Sequence, residues 1–246
     1  MKWQDRGIIV SIKKYGESSL ILNLLTEFHG LHAGLVRNSI SKKNRNIYQI
    51  GNICNVEWTG RLEEQLGYYK SETENSISHN IINNSLKIDL LMSISTLISV
   101  FLADRQVNST LFIETLNLIN YLNNRGKYWL SNYIKWELIL LSELGFGLDL
   151  KVCAVTGLKD DLSYVSPKSG RAVSKKGAGK WKNKLFLLPN FITKDNENTE
   201  DKNELINAIK ITTFFLNRYG ASIGLKLPDV RDRFTNKLDI LESYNQ

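Results

Sequence analysis

The chain has 246 residues, 42% of them apolar, and a formal charge of +7. That length suits one large domain or two small ones, and the apolar fraction is enough for a packed core. The N-terminus shows no apolar stretch behind a basic flank, so no signal peptide is expected. The most apolar region, residues 86–102, is interrupted by Lys87, Asp89, Ser93, Ser95, Thr96 and Ser99 and falls short of the ~20 apolar residues a bilayer requires.

The first part of the chain reads as strands. Ile8, Val10 and Ile12 alternate with Ile9, Ser11 and Lys13. Leu20, Leu22 and Leu24 follow, then Leu31, Ala33 and Leu35, then residues 53–58 and 66–70. Tyr15-Gly16, His29-Gly30, a basic loop after Arg37 and Thr59-Gly60 separate these runs. Period-two alternation bounded by turn residues predicts half-buried strands. Five of them within about 75 residues suit a small closed barrel, either an OB-fold or an SH3-like barrel.

Beyond Glu74 the pattern turns helical. Helices are predicted near residues 81–103, 109–123 and 128–144, with Asn108 or Ser109 as the cap of the second. The third stops at Gly145, which suits a left-handed cap because it lacks a Cβ. Residues from about 151 to 190 form a basic, glycine-containing insertion with a hairpin turn at Ser166-Pro-Lys-Ser-Gly170. Tyr164, Val165, Leu185 and Leu187 are expected to pack it. Helices near 202–219 and 229–244 close the chain. The fold class is therefore α+β: a five-stranded barrel over residues 1–78, then a helical domain over 79–246 that carries the insertion.

The positive charge is segregated. Residues 162–193 hold no acidic side chain but contain Lys168, Arg171, Lys175, Lys176, Lys180, Lys182 and Lys184. A smaller acid-free cluster holds Arg37, Lys42, Lys43 and Arg45. Solvated faces usually mix signs, so segregation favours a polyanion partner over a plain solubility patch. The candidate nucleic-acid contacts are therefore Arg37, Lys42, Lys43, Arg45, Lys168, Arg171, Lys175, Lys176 and Lys180. Tyr15, Tyr48, Tyr68, Tyr69 and Trp58 are candidate stacking residues, several of which must fill the barrel core instead.

Catalysis has little support. His29 and His32 lie at a predicted turn between strands with no cysteine or paired carboxylate nearby, which favours a plain turn over a metal pair. Gly177-Ala-Gly-Lys180 invites a phosphate-loop reading, yet Ser174 stands where the first glycine belongs and Trp181 where the metal-binding hydroxyl belongs. The two cysteines, Cys54 and Cys153, have no close partner in sequence, which fits a reducing cytoplasm. No cofactor is expected.

The ordered set of motifs resembles the RecO family of bacterial recombination and repair proteins. The residues that carry it are Gly7-Ile-Ile-Val, Gly16-Glu-Ser-Ser-Leu-Ile-Leu and Leu25-Thr at the N-terminus. In the middle they are Trp136, Glu137, Leu138, Leu144, Gly145, Phe146, Gly147 and Cys153, and at the C-terminus Leu227-Pro-Asp-Val-Arg-Asp-Arg-Phe234. The resemblance implies an OB-fold barrel and a non-catalytic mediator, cytoplasmic and nucleoid-associated. Such a protein binds single- and double-stranded DNA, anneals complementary strands and, with RecR, helps load RecA onto DNA coated by single-stranded DNA-binding protein, SSB. It also implies docking of the acidic, hydrophobic SSB tail, for which Lys135 is the candidate cation. Some relatives hold zinc through four cysteines near Cys153. Here Thr156 stands in place of the second, so a zinc-finger-like hairpin without zinc ligands is expected. Arg231 and Arg233 are candidates for a DNA or partner contact, or equally for pairing with Asp229 and Asp232 at little energetic gain if exposed. The competing readings are an OB-type RNA-binding protein without annealing activity and an enzyme acting through the Gly177 loop.

Overall fold

The computed structural model describes residues 1–243 apart from 38, 40–46, 63, 78, 125, 195 and 196. Its contacts divide the chain into two compact units, residues 1–125 with 228–237, and residues 126–227 with 238–246.

In the first unit, five strands, β1 (Lys2–Tyr15), β2 (Ser19–Thr26), β3 (Gly30–Val36), β4 (Ile53–Thr59) and β5 (Gly67–Asn75), pair in the closed order β1-β2-β3-β5-β4. The length of β1 makes closure possible. Its first half, Lys2–Ile8, pairs with β4, and from Gly7 onward it pairs with β2. The register shifts between Ile9 and Ser11, a bulge that bends the strand from one neighbour to the other. All pairs are antiparallel except β3 with β5, which meet at Gly34↔Gly67 and Leu35↔Tyr68. Both glycines are needed there. A Cβ on Gly34 would lie 2.3 Å from the Tyr69 ring, and one on Gly67 would lie 2.4 Å from the Trp58 indole. The interior holds Ile9, Leu22, Leu24, Val36, Cys54, Val56, Trp58 and Tyr69. Full burial of each large side chain is worth roughly 1.5–3 kcal/mol.

Helices α1 (His79–Ile82), α2 (Ser85–Phe101) and α3 (Ser109–Asn123) belong to this same unit. The change of pattern near residue 78 thus marks where the strands end, whereas the contacts divide near residue 125, because α2 packs on β1. Asn84 caps α2, its side chain accepting from the amides of Leu86 and Lys87. Asn108 occupies the cap position of α3, but its side-chain amide donates to the Gln106 carbonyl instead of capping.

In the second unit, α4 (Trp129–Glu143) packs against α7 (Lys202–Ser222). The end of α4 is a Schellman motif. Gly145 has φ +78°, its N–H donates to the Ser142 carbonyl at 3.0 Å, and the Phe146 N–H donates to the Leu141 carbonyl at 2.8 Å. This turn sets Phe146 edge-on to Tyr219 of α7, with ring centroids 5.2 Å apart. Between the two helices in sequence comes a three-stranded sheet, ordered β7 (Ala172–Ser174), β6 (Leu162–Val165), β8 (Phe186–Leu187). The turn predicted at Ser166–Gly170 joins β6 to β7 and is held by Gly170 N–H donating to the Ser166 carbonyl at 2.8 Å. After β7 come α5 (Lys175–Ala178) and a 3-10 helix (Gly179–Lys184), and α6 (Asn190–Thr193) follows β8. Cys153, Tyr164, Val173 and Ala178 form the core of the segment, with Leu162 and Leu185 packed on it. Leu187 does not join them: it is exposed, because alternation on the edge strand turns it outward. The helix α8 (Asp229–Ser243) follows, its residues to Lys237 belonging to the first unit.

Among the described residues no helix is long and apolar enough to cross a membrane.

Candidate nucleic-acid interface

Among the described residues, the surface of the five-stranded sheet carries a basic-aromatic cluster. Arg37 leaves the end of β3 with its guanidinium 4.2 Å from the Tyr68 ring centroid, and its Nη2 donates to the Tyr68 hydroxyl at 2.7 Å. Tyr48, Lys70 and Ser71 border the same open cavity of about 360 Å³. Tyr68 and Tyr69 are adjacent on β5, so one must point out and the other in. Tyr68 is exposed, whereas Tyr69 and Trp58 are buried in the core and have no free face for a base. Tyr15 is exposed and Tyr48 half-buried. Lys42, Lys43 and Arg45 lie outside the described residues.

The histidines have environments that spacing alone does not show. His29 Nδ1 lies 2.7 Å from Asp5 Oδ2, and its ring stacks on Trp3 at 4.0 Å. Asp5 also accepts from the Arg6 and Phe28 amides, so it braces the β2–β3 turn. His32 is a buried strand residue packed edge-on to Trp3 and Trp58. No serine, threonine or cysteine is paired with the His29 ring by the hydrogen bonds described, and the arrangement reads as structural.

In the second unit the basic segment separates into two kinds of charge. Arg171 is half-buried and pairs with Asp149 at 3.2 Å, a structural bond that joins β7 to the preceding loop. Lys168, Lys175, Lys176, Lys180, Lys182 and Lys184 are exposed. The turn that bears Lys168 is fixed by Arg218, whose Nη1 donates to the Pro167 and Lys168 carbonyls at 3.1 and 3.0 Å. The Gly177 loop is not built to cradle a phosphate, since the Gly177 N–H is taken by the Ser174 hydroxyl at 3.1 Å.

The environment of Cys153 tests whether zinc fits. Its sulfur accepts the Ser174 and Thr156 amides at 3.2 and 3.4 Å. Burial alone would raise the thiol, but the hydrogen bonds from Ser174 and Thr156 outweigh it and bring the pKa down to about 6. Thr156 supplies no soft ligand, and among the described residues no three His, Cys, Asp or Glu side chains gather as a metal site would need. The residues present do not fit a closed zinc site. Cys54, by contrast, is a core thiol that burial pushes up to about 11.

An apolar cavity of about 230 Å³ lies between the start of α4 and the start of α7. Tyr128, Trp129, Leu130, Leu205, Ile206 and Ile209 line it, with Lys127, Lys202, Thr199 and Glu200 at its rim. Lys127 pairs with Glu200 at 2.9 Å, while Lys202 makes no ion pair with the described residues. Lys135 is not in the lining. Its ammonium donates to the Glu197 carbonyl and to Asn198 Oδ1, which fixes the loop leading into Thr199 and Glu200. Neighbouring Trp136 and Glu137 are fully buried, with Tyr133 donating to Glu137 at 2.6 Å. Arg231 is also buried, which removes it from any surface contact, while Arg233 is exposed. Sequence reasoning missed the cavity because its walls come from segments some 70 residues apart. Lys127-Tyr-Trp-Leu130, a cation followed by three large apolar residues at a helix start, was the available signal.

Comparisons with known proteins cover most of the chain. A family model described as "Recombination protein O N terminal" matches residues 1–77, and one described as "Recombination protein O C terminal" matches residues 87–227. The chain is 38% identical over 240 residues to the DNA repair protein RecO of Ruegeria sp. (strain TM1040), which spans 97% of this chain and 98% of that protein. It is 35% identical over 237 residues to the protein of the same name from Wolbachia sp. subsp. Drosophila simulans (strain wRi), spanning 94% and 98%. It is 38% identical over 240 residues to that of Cereibacter sphaeroides (strain ATCC 17029 / ATH 2.4.9), spanning 97% and 98%. Matched in both its N-terminal and C-terminal parts, the chain belongs to the RecO family of DNA repair proteins.

Proposed function

We propose that this chain is a non-catalytic recombination mediator that binds single- and double-stranded DNA and anneals complementary strands. The observation that carries the reading is the Arg37–Tyr68 pair, a cation and an exposed aromatic ring held together on a closed five-stranded sheet. The strand order, with β1 shared by both neighbours, supports assigning that sheet to the OB-fold. Such a surface binds a strand by neutralising phosphates while bases rest on the aromatic ring. Lys42, Lys43 and Arg45 extend the same loop in sequence and add phosphate contacts. Lys168, Lys175, Lys176 and Lys180 supply further contacts in the second unit, whereas Arg171 serves chiefly to hold the hairpin through Asp149. Nothing in the chain resembles a base-reading helix, so binding is independent of sequence.

The apolar cavity suits the acidic, hydrophobic tail of SSB. Trp129, Leu130, Leu205 and Ile209 would receive its apolar side chains and Lys202 its carboxylate. Lys135 acts one step away, by holding the loop that forms one wall. Docking on SSB, together with RecR, would let the protein place RecA on coated DNA.

Annealing of complementary oligonucleotides tests the reading. The protein should accelerate annealing at low salt and lose that effect as salt rises. Tight binding to structured RNA with no acceleration of DNA annealing would instead favour the RNA-binding alternative.

A further inference from the structure

The basic segment of the second unit holds an aromatic side chain that the core does not use. Trp181 is 54% exposed, although tryptophan is among the most apolar and bulky residues of the chain. The core of this segment is formed by Cys153, Tyr164, Val173 and Ala178, with Leu162 and Leu185 packed on it. Gly179, with φ +45° and ψ −131°, turns the chain between α5 and the 3-10 helix and so presents Lys180 and Trp181 outward. Lys184 and Lys180 flank the indole, with their ammonium groups 5.2 and 5.6 Å from the ring. Lys175, Lys176 and Lys182 are exposed nearby in the chain, and none of these five lysines makes an ion pair with the described residues. The stretch 162–193 contains no acidic residue to neutralise them.

We propose that Trp181, flanked by Lys180 and Lys184, is a stacking platform for an unpaired base, which makes the hairpin segment selective for single-stranded over duplex DNA. The proposal rests on the reading that this chain binds DNA, and adds to it a second site with its own ligand preference. A base inside a duplex has both faces covered by its neighbours, so it offers nothing to an exposed indole. An unstacked base offers a free face, and the two lysines, on flexible stems, swing from the ring to the phosphates on either side of it. The unpartnered lysines account for attraction to any polyanion, and the indole accounts for the choice of strand.

Fluorescence anisotropy with the full-length protein tests this, using labelled oligothymidylate and a duplex of the same length. Trp181→Ala should weaken binding to oligothymidylate by about tenfold while changing duplex affinity less than about twofold. Trp181→Phe should retain most of the single-strand affinity. The salt dependence should be unaltered in both variants, since no charge is removed. Replacing Lys180 and Lys184 by Ala should instead weaken both ligands and flatten the salt dependence. Unchanged oligothymidylate affinity in Trp181→Ala, or an equal loss on both ligands, would overturn the stacking site while leaving DNA binding intact. A wild-type protein that binds neither ligand would overturn DNA binding itself and the stacking site with it.

Discussion

The guanidinium of Arg37 lies 4.2 Å from the ring centroid of Tyr68 and donates to its hydroxyl at 2.7 Å, although 31 residues separate the two in sequence. The parallel register Leu35↔Tyr68 brings them together, by placing the end of β3 beside the start of β5. The pair is exposed, so its contribution to folding is small, and the proposed DNA contact is where its loss would be felt. Arg37→Ala is expected to weaken DNA binding about three- to tenfold and to reduce the slope of affinity against salt by about one phosphate contact. Replacing Arg37, Lys42, Lys43 and Arg45 together should weaken binding much further, with stability changed by no more than about 0.5 kcal/mol per site. Titration at two salt concentrations, with urea denaturation alongside, checks both parts. Unaltered affinity and slope would remove this loop from the interface.

Closure of the sheet depends on Gly34. A Cβ there would sit 2.3 Å from Cδ2 of Tyr69, whose ring is locked in the core. Gly34→Ala is expected to destabilise the protein by about 1–3 kcal/mol, because the ring or the strand must shift. Gly16→Ala is a useful contrast: it has open space around it and strain only from its φ of +61°. Equal urea midpoints for Gly34→Ala and the wild type would show that β3 and β5 do not approach as closely as described.

Much of this architecture was legible because its causes are local. Alternation in β1 to β4 and the apolar stripes of α2, α3 and α4 carry their own period, and Gly145 marks its helix end through its backbone alone. The fifth strand runs on to Asn75 because Ser71–Asn75 finds partners on β4, whereas its polar side chains give no apolar signal. The site was legible only as charge. Which of Tyr68 and Tyr69 faces outward depends on how the sheet closes, and the Asp5–His29 bond spans 24 residues. Trp181 read as a defect in a phosphate loop, since nothing in the sequence says that the segment builds its core from Cys153, Tyr164, Val173 and Ala178 and leaves the indole exposed.

Within α4, Tyr133 donates to the Glu137 carboxyl at 2.6 Å, and both side chains are fully buried. The spacing of four residues places them one turn apart on the same face. Tyr133→Phe keeps the ring and removes the donor. It should destabilise the protein by about 1–3 kcal/mol, the range for a hydrogen bond to a buried polar group. A loss under about 0.5 kcal/mol in chemical denaturation would show that other partners fully satisfy Glu137.

Cys153 should make stability depend on pH. Its folded pKa of about 6 lies below the ordinary value of 9.0 because the Ser174 and Thr156 hydrogen bonds outweigh burial. Between those values the folded protein has released a proton that the unfolded chain still holds, so stability rises with pH through that window. The contribution is full above the unfolded value and is lost as pH falls through about 6. The difference in urea midpoint between wild type and Cys153→Ala, measured under reducing conditions, should therefore widen from pH 6 to pH 9. A constant difference across that range would mean that the thiol stays protonated in the folded state.

Mediation on SSB-coated DNA, as proposed, is read out by annealing of complementary oligonucleotides pre-coated with the cognate SSB. The assay uses full-length and tail-deleted SSB with the wild-type protein and Lys202→Glu, whose substitution reverses the charge at the rim of the Trp129–Leu205 cavity. Rapid annealing is expected only with wild-type protein and full-length SSB, and at least a tenfold slower rate when either the tail or the Lys202 charge is changed, ~1.4 kcal/mol in coupling. Annealing that is equally fast without the tail would contradict the docking site, and no annealing on coated DNA in any combination would contradict the mediator reading itself.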